Sequence, residues 1–289
     1  MTTPPPPHIL ASFQVPAARP TQLESEWSRG WRCDRAVIGH ADEPARAAWI
    51  ARTMAKMRPA GVSVSRPILS SDGRYSVSGW RARTFLSGHR APRFDEIATA
   101  AMRISEALKG ESRPAFLHPP TIGGQWGETE IFAAMEEAAF ADDPTQWVRA
   151  ALRQDTVPRE DVAAALSKAA ELAEAREDLT EPDQLVHSDA LGCVIFDGYS
   201  DPVLTDLVPA WRPAAWPVAL LIVDAMAWGN GPDALLDRWS HLPDFWQLVL
   251  RAALYRVLLH ATLPNARTDA WRGLARVADV INARVVSGE

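Results

Sequence analysis

The stretch QLVHSDALGCVIFDGYSDPVLTDL, residues 184–207, decides how the rest of the chain is read. Its pattern predicts a strand ending in a polar turn at His187, Ser188 and Asp189, then a second strand over 193–196. A turn at Asp197 and Gly198 leads to a third strand that ends at Asp206. Short strands of this kind deliver Asp189 and Asp206 to neighbouring tips. Two carboxylates so placed suit phosphoryl transfer: one orients or deprotonates an attacking hydroxyl and the other holds Mg²⁺ on nucleotide phosphates.

The stretch resembles the catalytic hairpin of the aminoglycoside phosphotransferase and choline kinase-like proteins. Their pattern is His-Gly-Asp, four or five residues, Asn, a short strand pair and Ile-Asp. It is most similar to uncharacterised actinobacterial members of that group, in which a Trp-Arg-Pro segment follows, as Trp211, Arg212 and Pro213 do here. The resemblance implies an α+β, two-lobed protein kinase-like fold, with a β-rich lobe over 1–90 and a larger helical lobe over 91–289 carrying the hairpin. It also implies that His187 and Asp189 are the catalytic residues, Ser188 standing where the family has Gly. Asp206 takes the place of the metal-binding Asp, and Cys193 that of the metal-binding Asn. A thiol there replaces a hard oxygen ligand for Mg²⁺ with a soft one.

Upstream, residues 21–40 read as strand, turn, strand, turn, strand. In the resembled fold a glycine-rich hairpin closes over the phosphates here, and the third strand carries a lysine onto them. The positions that would contact the nucleotide are Arg29 and Gly30 in the loop, Gly39 where the lysine belongs, and Phe85 in FLSG at the hinge. The loop 25–30 has one glycine and carries Glu26, Trp27 and Arg29, so it reads as a poor phosphate cradle. Of 30 basic residues only Lys56, Lys109 and Lys168 are lysines, and none lies near Gly39. His40 is the nearest residue that could carry positive charge, and Arg35 or Arg32 is a candidate substitute, though an arginine fork is no simple replacement for an ammonium. The next helix, 43–57, with Asp42 as N-cap and Pro44 in its first turn, has no acid beyond that turn to pair with a strand lysine.

Residues 62–69 and 75–86 read as a hairpin about Ser71-Asp72-Gly73. From residue 93 onward, periodicity predicts helices over 95–109, 128–140, 145–153, 159–178, 214–228, 233–241, 244–263 and 268–286. Asp224, inside an apolar helix, is expected to accept hydrogen bonds from the Asp189 loop. Trp211 and Trp216 are candidate walls of an acceptor pocket.

A length of 289 residues, 47% apolar and 23% charged, fits a soluble globular protein, and a net charge of −6 argues against nucleic-acid or anionic-membrane partners. Two distant cysteines, Cys33 and Cys193, signal neither a disulfide framework nor a zinc site. With no leader-like segment or spanning-length apolar run, cytoplasmic is the expected location. Two functions stay open. One is a pseudoenzyme with weak or no phosphoryl transfer that binds a small molecule or a protein, with no cofactor required. The other is an active Mg-ATP-dependent phosphotransferase acting on a small hydroxylated metabolite or antibiotic.

Overall fold

The computed structural model describes residues 3–41, 43–152 and 159–287. Its elements begin with α1 (Pro7–Ser12), β1 (Thr21–Gln22), a 3-10 turn (Ser25–Trp27), β2 (Trp31–Cys33), β3 (Ala36–His40) and α2 (Pro44–Lys56). Next come β4 (Ser63–Val64), β5 (Pro67–Ile68), β6 (Ser76–Val77), β7 (Trp80–Thr84) and α3 (Phe94–Leu108). Then follow α4 (Glu128–Phe140), α5 (Thr145–Leu152), α6 (Val162–Glu174), β8 (Gln184–His187), α7 (Ala190–Cys193), β9 (Val194–Ile195), β10 (Val203–Leu204) and β11 (Pro209–Arg212). The chain finishes with α8 (Trp216–Trp228), α9 (Ala234–Trp239), α10 (Phe245–Thr262) and α11 (Thr268–Ser287). The architecture is α+β. The expected N-cap Asp42 and the expected last helical residue Arg153 lie outside the described residues.

Two compact units emerge, one of Met1–Glu111 with Leu185–Ala210, the other of Ser112–Gln184 with Trp211–Glu289. The first unit takes in α3 and residues 185–207 along with the N-terminal strands.

In the first unit an antiparallel sheet runs β1-β2-β3-β7-β5, with β6 also on β7. The register pairs Val37 with Arg83, Ile38 with Ala82, and Gly39 with Arg81. Alternation across these strands separates two faces. On one, Ala36, Ile38, Trp80 and Ala82 pack with Cys33 against Ile9, Leu10 and Phe13 of the N-terminal segment. Pro7 starts that segment's helix, where a missing N–H costs nothing and φ is already helical. On the other face stand Val37, Gly39, Arg81 and Arg83.

Two expectations change here. The first strand stops at Gln22, and Ser25–Trp27 forms a 3-10 turn that takes the Trp27 indole into the core. The single hairpin expected over 62–86 is divided: β5 and β6 both pair with β7, while β4 leaves the sheet to lie parallel to β10. With β9 antiparallel on its other side, β10 is the middle of a separate three-stranded sheet.

The second unit is helical. The centre is α10, whose Leu248, Val249, Leu254, Val257 and Leu258 are buried, with α4, α6, α8 and α11 packed about it. The buried Arg251 on α10 donates to the Glu177 carbonyl at 2.6 Å and to the Gln247 side chain at 2.7 Å. Among the described residues no helix is long and apolar enough to cross a membrane.

Candidate functional site

The polar turn after β8 is built by a local cap. Asp189 is the N-cap, with φ −137° and ψ 58°, and its Oδ1 accepts the Gly192 N–H at 3.0 Å, which closes the short turn of α7. A Cβ at position 192 would lie 2.5 Å from the Asp189 carboxylate, so any larger residue there would push that carboxylate out of its cap. The Cys193 thiol points at Asp189 Oδ2, 3.7 Å away. Burial, with help from Asp189 and Asp206, raises the thiol well above its ordinary pKa, so the sulfur is protonated.

His187 is fully buried, and its Nδ1 accepts the Val208 N–H at 3.0 Å. Burial lowers the imidazole pKa against the opposing pull of Asp189 and Asp206, so the ring is neutral with its proton on Nε2. That arrangement holds the strand ends in place. It does not put the ring in position as a proton acceptor for an external hydroxyl, since the accepting nitrogen is already used.

Asp206 has partners that the sequence reading did not name. Arg81 grips it with both arms, Nη1 to Oδ1 at 3.0 Å and Nη2 to Oδ2 at 2.5 Å, and Arg83 Nη1 also donates to Oδ2. Oδ1 further accepts the Leu207 N–H at 3.0 Å. Burial alone would raise this carboxyl, but Arg83 and Arg81 outweigh it and hold it well below the usual carboxylate range. The pair was detectable in principle: in WRART, Arg81 and Arg83 share one face of a strand, and a guanidinium group taken into the core requires an anion nearby. Arg32 and Arg35 were expected only as substitutes for the strand lysine. Arg32 lies over the Phe85 ring at 4.0 Å.

This donor set does not fit Mg²⁺. Both Asp206 oxygens are engaged by guanidinium groups, and Cys193 offers a protonated soft sulfur where a hard oxygen is needed. Among the described residues no group of three or more His, Cys, Asp or Glu could hold a metal ion.

The loop before β2 is closed on itself. Trp27 and Arg29 donate their N–H groups to the Glu24 carbonyl, Ser28 donates to Ser25, and Gly30 donates to Trp27, at 2.8–3.1 Å. Those amides are therefore spent within the loop and do not form a phosphate nest. Trp27 is buried with Val37, Ile195 and Val203, and Phe85 and Leu86 pack against that cluster. The Trp27 and Phe85 rings lie 5.5 Å apart. The loop is tied down where Thr205 Oγ1 donates to the Glu26 carbonyl at 2.7 Å. Gly30 is buried in this loop, whereas the Arg29 side chain is exposed. Gly39 faces open space, since a Cβ there would meet no heavy atom within 4 Å.

In the helical unit Asp224 receives both guanidinium arms of Arg256, at 2.7 and 2.6 Å. This ion pair meets the charge of the part-buried carboxylate. Trp216 is wholly buried against Phe140 and Tyr255, so it is core and not a pocket wall. Trp211 is partly exposed on β11, and the neighbouring Arg212 bonds Glu137 at 3.0 Å.

No family model matches the chain, and no curated protein matches it in sequence. Solved structures do match over its whole length. An aminoglycoside phosphotransferase from Alicyclobacillus acidocaldarius subsp. acidocaldarius superposes with a TM-score of 0.63 at 14% identity, covering 100% of this chain and 97% of that one. A microcompartment-associated aminopropanol kinase matches with a TM-score of 0.53 at 13% identity, over 94% of this chain and 93% of the other. The aminoglycoside phosphotransferase APH(4)-Ia gives 0.51 at 15% identity, with 94% of each chain covered. The fold is therefore the protein kinase-like fold of the aminoglycoside phosphotransferases.

Proposed function

We propose that this chain is a degenerate phosphotransferase-fold protein, a pseudoenzyme that acts by binding rather than by transferring phosphate. The observation that carries this reading is the engagement of both Asp206 oxygens by Arg81 and Arg83. A carboxylate held this way serves as the anion of a structural ion pair. Three further features agree with it. Gly39 has no side chain to bring an ammonium to phosphate, the loop amides are internally bonded, and Trp27 fills the apolar slot beside Phe85. Phosphoryl transfer depends on cations and preorganised donors around the migrating group, and losing one such contact costs roughly 3 kcal/mol of transition-state stabilisation. Several losses together leave little rate.

The competing reading, an active Mg-ATP phosphotransferase, draws on the retention of Asp189 and Asp206 and on Arg81 standing directly across from Gly39. It requires Asp206 to exchange two guanidinium partners, one of them buried, for Mg²⁺. Transfer from labelled ATP to a panel of hydroxylated acceptors, with Mg²⁺ present, separates the two. The pseudoenzyme reading expects no transfer above a protein-free control, and Cys193→Asn alone should not create robust turnover. Mg²⁺-dependent product that disappears in Asp189→Ala would establish the enzyme instead.

A further inference from the structure

The second unit carries a cavity of about 460 Å³ between the start of α4 and the loop that joins α10 to α11. That volume lies within the roughly 300–1,000 Å³ typical of small-molecule sites. Trp126, Ile131, Leu263 and Pro264 give it apolar walls, and the side chains of Glu128 and Asn265 bring oxygen acceptors to it. None of these residues belongs to the site around Asp206.

Both walls are held in place by the protein's own bonds. On the α4 side, Glu130 Oε2 accepts the Gly127 N–H at 2.9 Å, and the Trp126 indole N–H donates to the Thr121 carbonyl at 3.1 Å. On the loop side, Arg159 donates to the Leu263 carbonyl at 2.8 Å. The other charges beside these walls are already met. Arg159 pairs with Asp161 at 3.1 Å, Arg267 pairs with Asp269 at 3.0 Å, and Glu130 serves the helix cap. Glu128 differs from all of them. It is exposed, has no ion-pair partner among the described residues, and is the one charged side chain lining the cavity.

We propose that this cavity binds a small primary amine with an apolar body, the ammonium meeting the Glu128 carboxylate and the Asn265 amide oxygen and the body lying against Trp126, Ile131 and Leu263. An ammonium has three N–H donors and no acceptor, so it can serve both oxygens at once, and its bond to a carboxylate is charge-assisted. An anion is the less suitable occupant although the cavity touches the start of α4. Glu128 and Glu130 both sit in that first turn and offset the positive end of the helix. The inference goes beyond the pseudoenzyme reading and does not depend on it, since it concerns other residues.

Titration calorimetry on the full chain tests it, with 2-phenylethylammonium, cyclohexylmethylammonium and isopentylammonium as probes. The alcohol of each skeleton is the neutral control, and phenylacetate is the anionic one. Saturable binding of at least one amine, near one per chain and at least about fivefold tighter than its alcohol or phenylacetate, is expected. For that amine Glu128→Gln should lose about threefold or more in affinity. Ala266→Phe, which puts a ring into the cavity, should lose about tenfold or more. Absence of binding by all three amines, a control that binds as well as the amine, or unchanged affinity in either variant overturns the site. Phosphate transfer is read in a separate assay, so the two proposals fail independently.

Discussion

The two faces of one sheet in the first unit are built from alternate residues of the same strands and carry opposite chemistry. On one face Ala36, Ile38, Trp80 and Ala82 form an apolar layer with Ile9 and Phe13. On the other, Arg81 and Arg83 meet Asp206 across 125 and 123 residues of sequence. The apolar face is stabilised by area removed from water and tolerates small changes in shape. The charged face is stabilised only while all three groups remain, because each was desolvated on the understanding that the others neutralise it. Apolar packing thus holds the sheet together, while the site beside it rests on one carboxylate.

That difference makes testable claims, beginning with the largest. Asp206→Asn leaves two arginines beside a neutral amide and should lower the unfolding free energy by about 3–5 kcal/mol in urea denaturation. A carboxylate kept for a metal would show little loss in metal-free buffer. On the apolar face, Ile38→Ala should cost about 3 kcal/mol through lost burial and a residual cavity, with no dependence on pH. A pH-dependent cost at Ile38 would mean that the faces are coupled and the contrast is false.

The third claim is the pH dependence itself. Because the folded Asp206 carboxyl is held below its unfolded value of about 3.9, its stabilisation is present above roughly pH 4. It is lost as pH falls from there toward the folded value. Stability measured from pH 6 down to pH 2 should therefore decline more steeply in the wild type than in Asp206→Asn, and parallel curves would remove Asp206 from the account. The smallest effect is at Gly39→Ala, where the added methyl meets no atom and the unfolded chain loses freedom. A gain of about 0.4–1 kcal/mol is expected, read from the shift of the urea midpoint.

The sequence carried the helical half of this chain well. Predicted and observed helices agree within a few residues wherever apolar positions recur at helical spacing, as in α4 and α10, because periodicity is a local property. The 184–207 stretch was legible only in part: His187 ends β8, but Asp189 caps the short helix α7 where a strand was expected from Cys193, and Asp206 lies two residues past β10. The Arg81 and Arg83 pairing was missed because it joins distant segments, and β7 was read only as one arm of a hairpin. The 3-10 turn at Ser25–Trp27 was missed for a related reason. A strand reading follows local propensity, whereas the turn is set by burial of Trp27 among Val37, Ile195 and Val203, three residues from other elements.

The most direct test of the central claim, that Asp206 serves arginines and not a metal, is titration of the wild-type protein with Mg²⁺ by calorimetry, repeated on Asp206→Asn. No saturable heat up to millimolar Mg²⁺ in either protein is the predicted result. Saturable Mg²⁺ binding in the wild type that vanishes in Asp206→Asn would contradict it and restore Asp206 as a metal ligand.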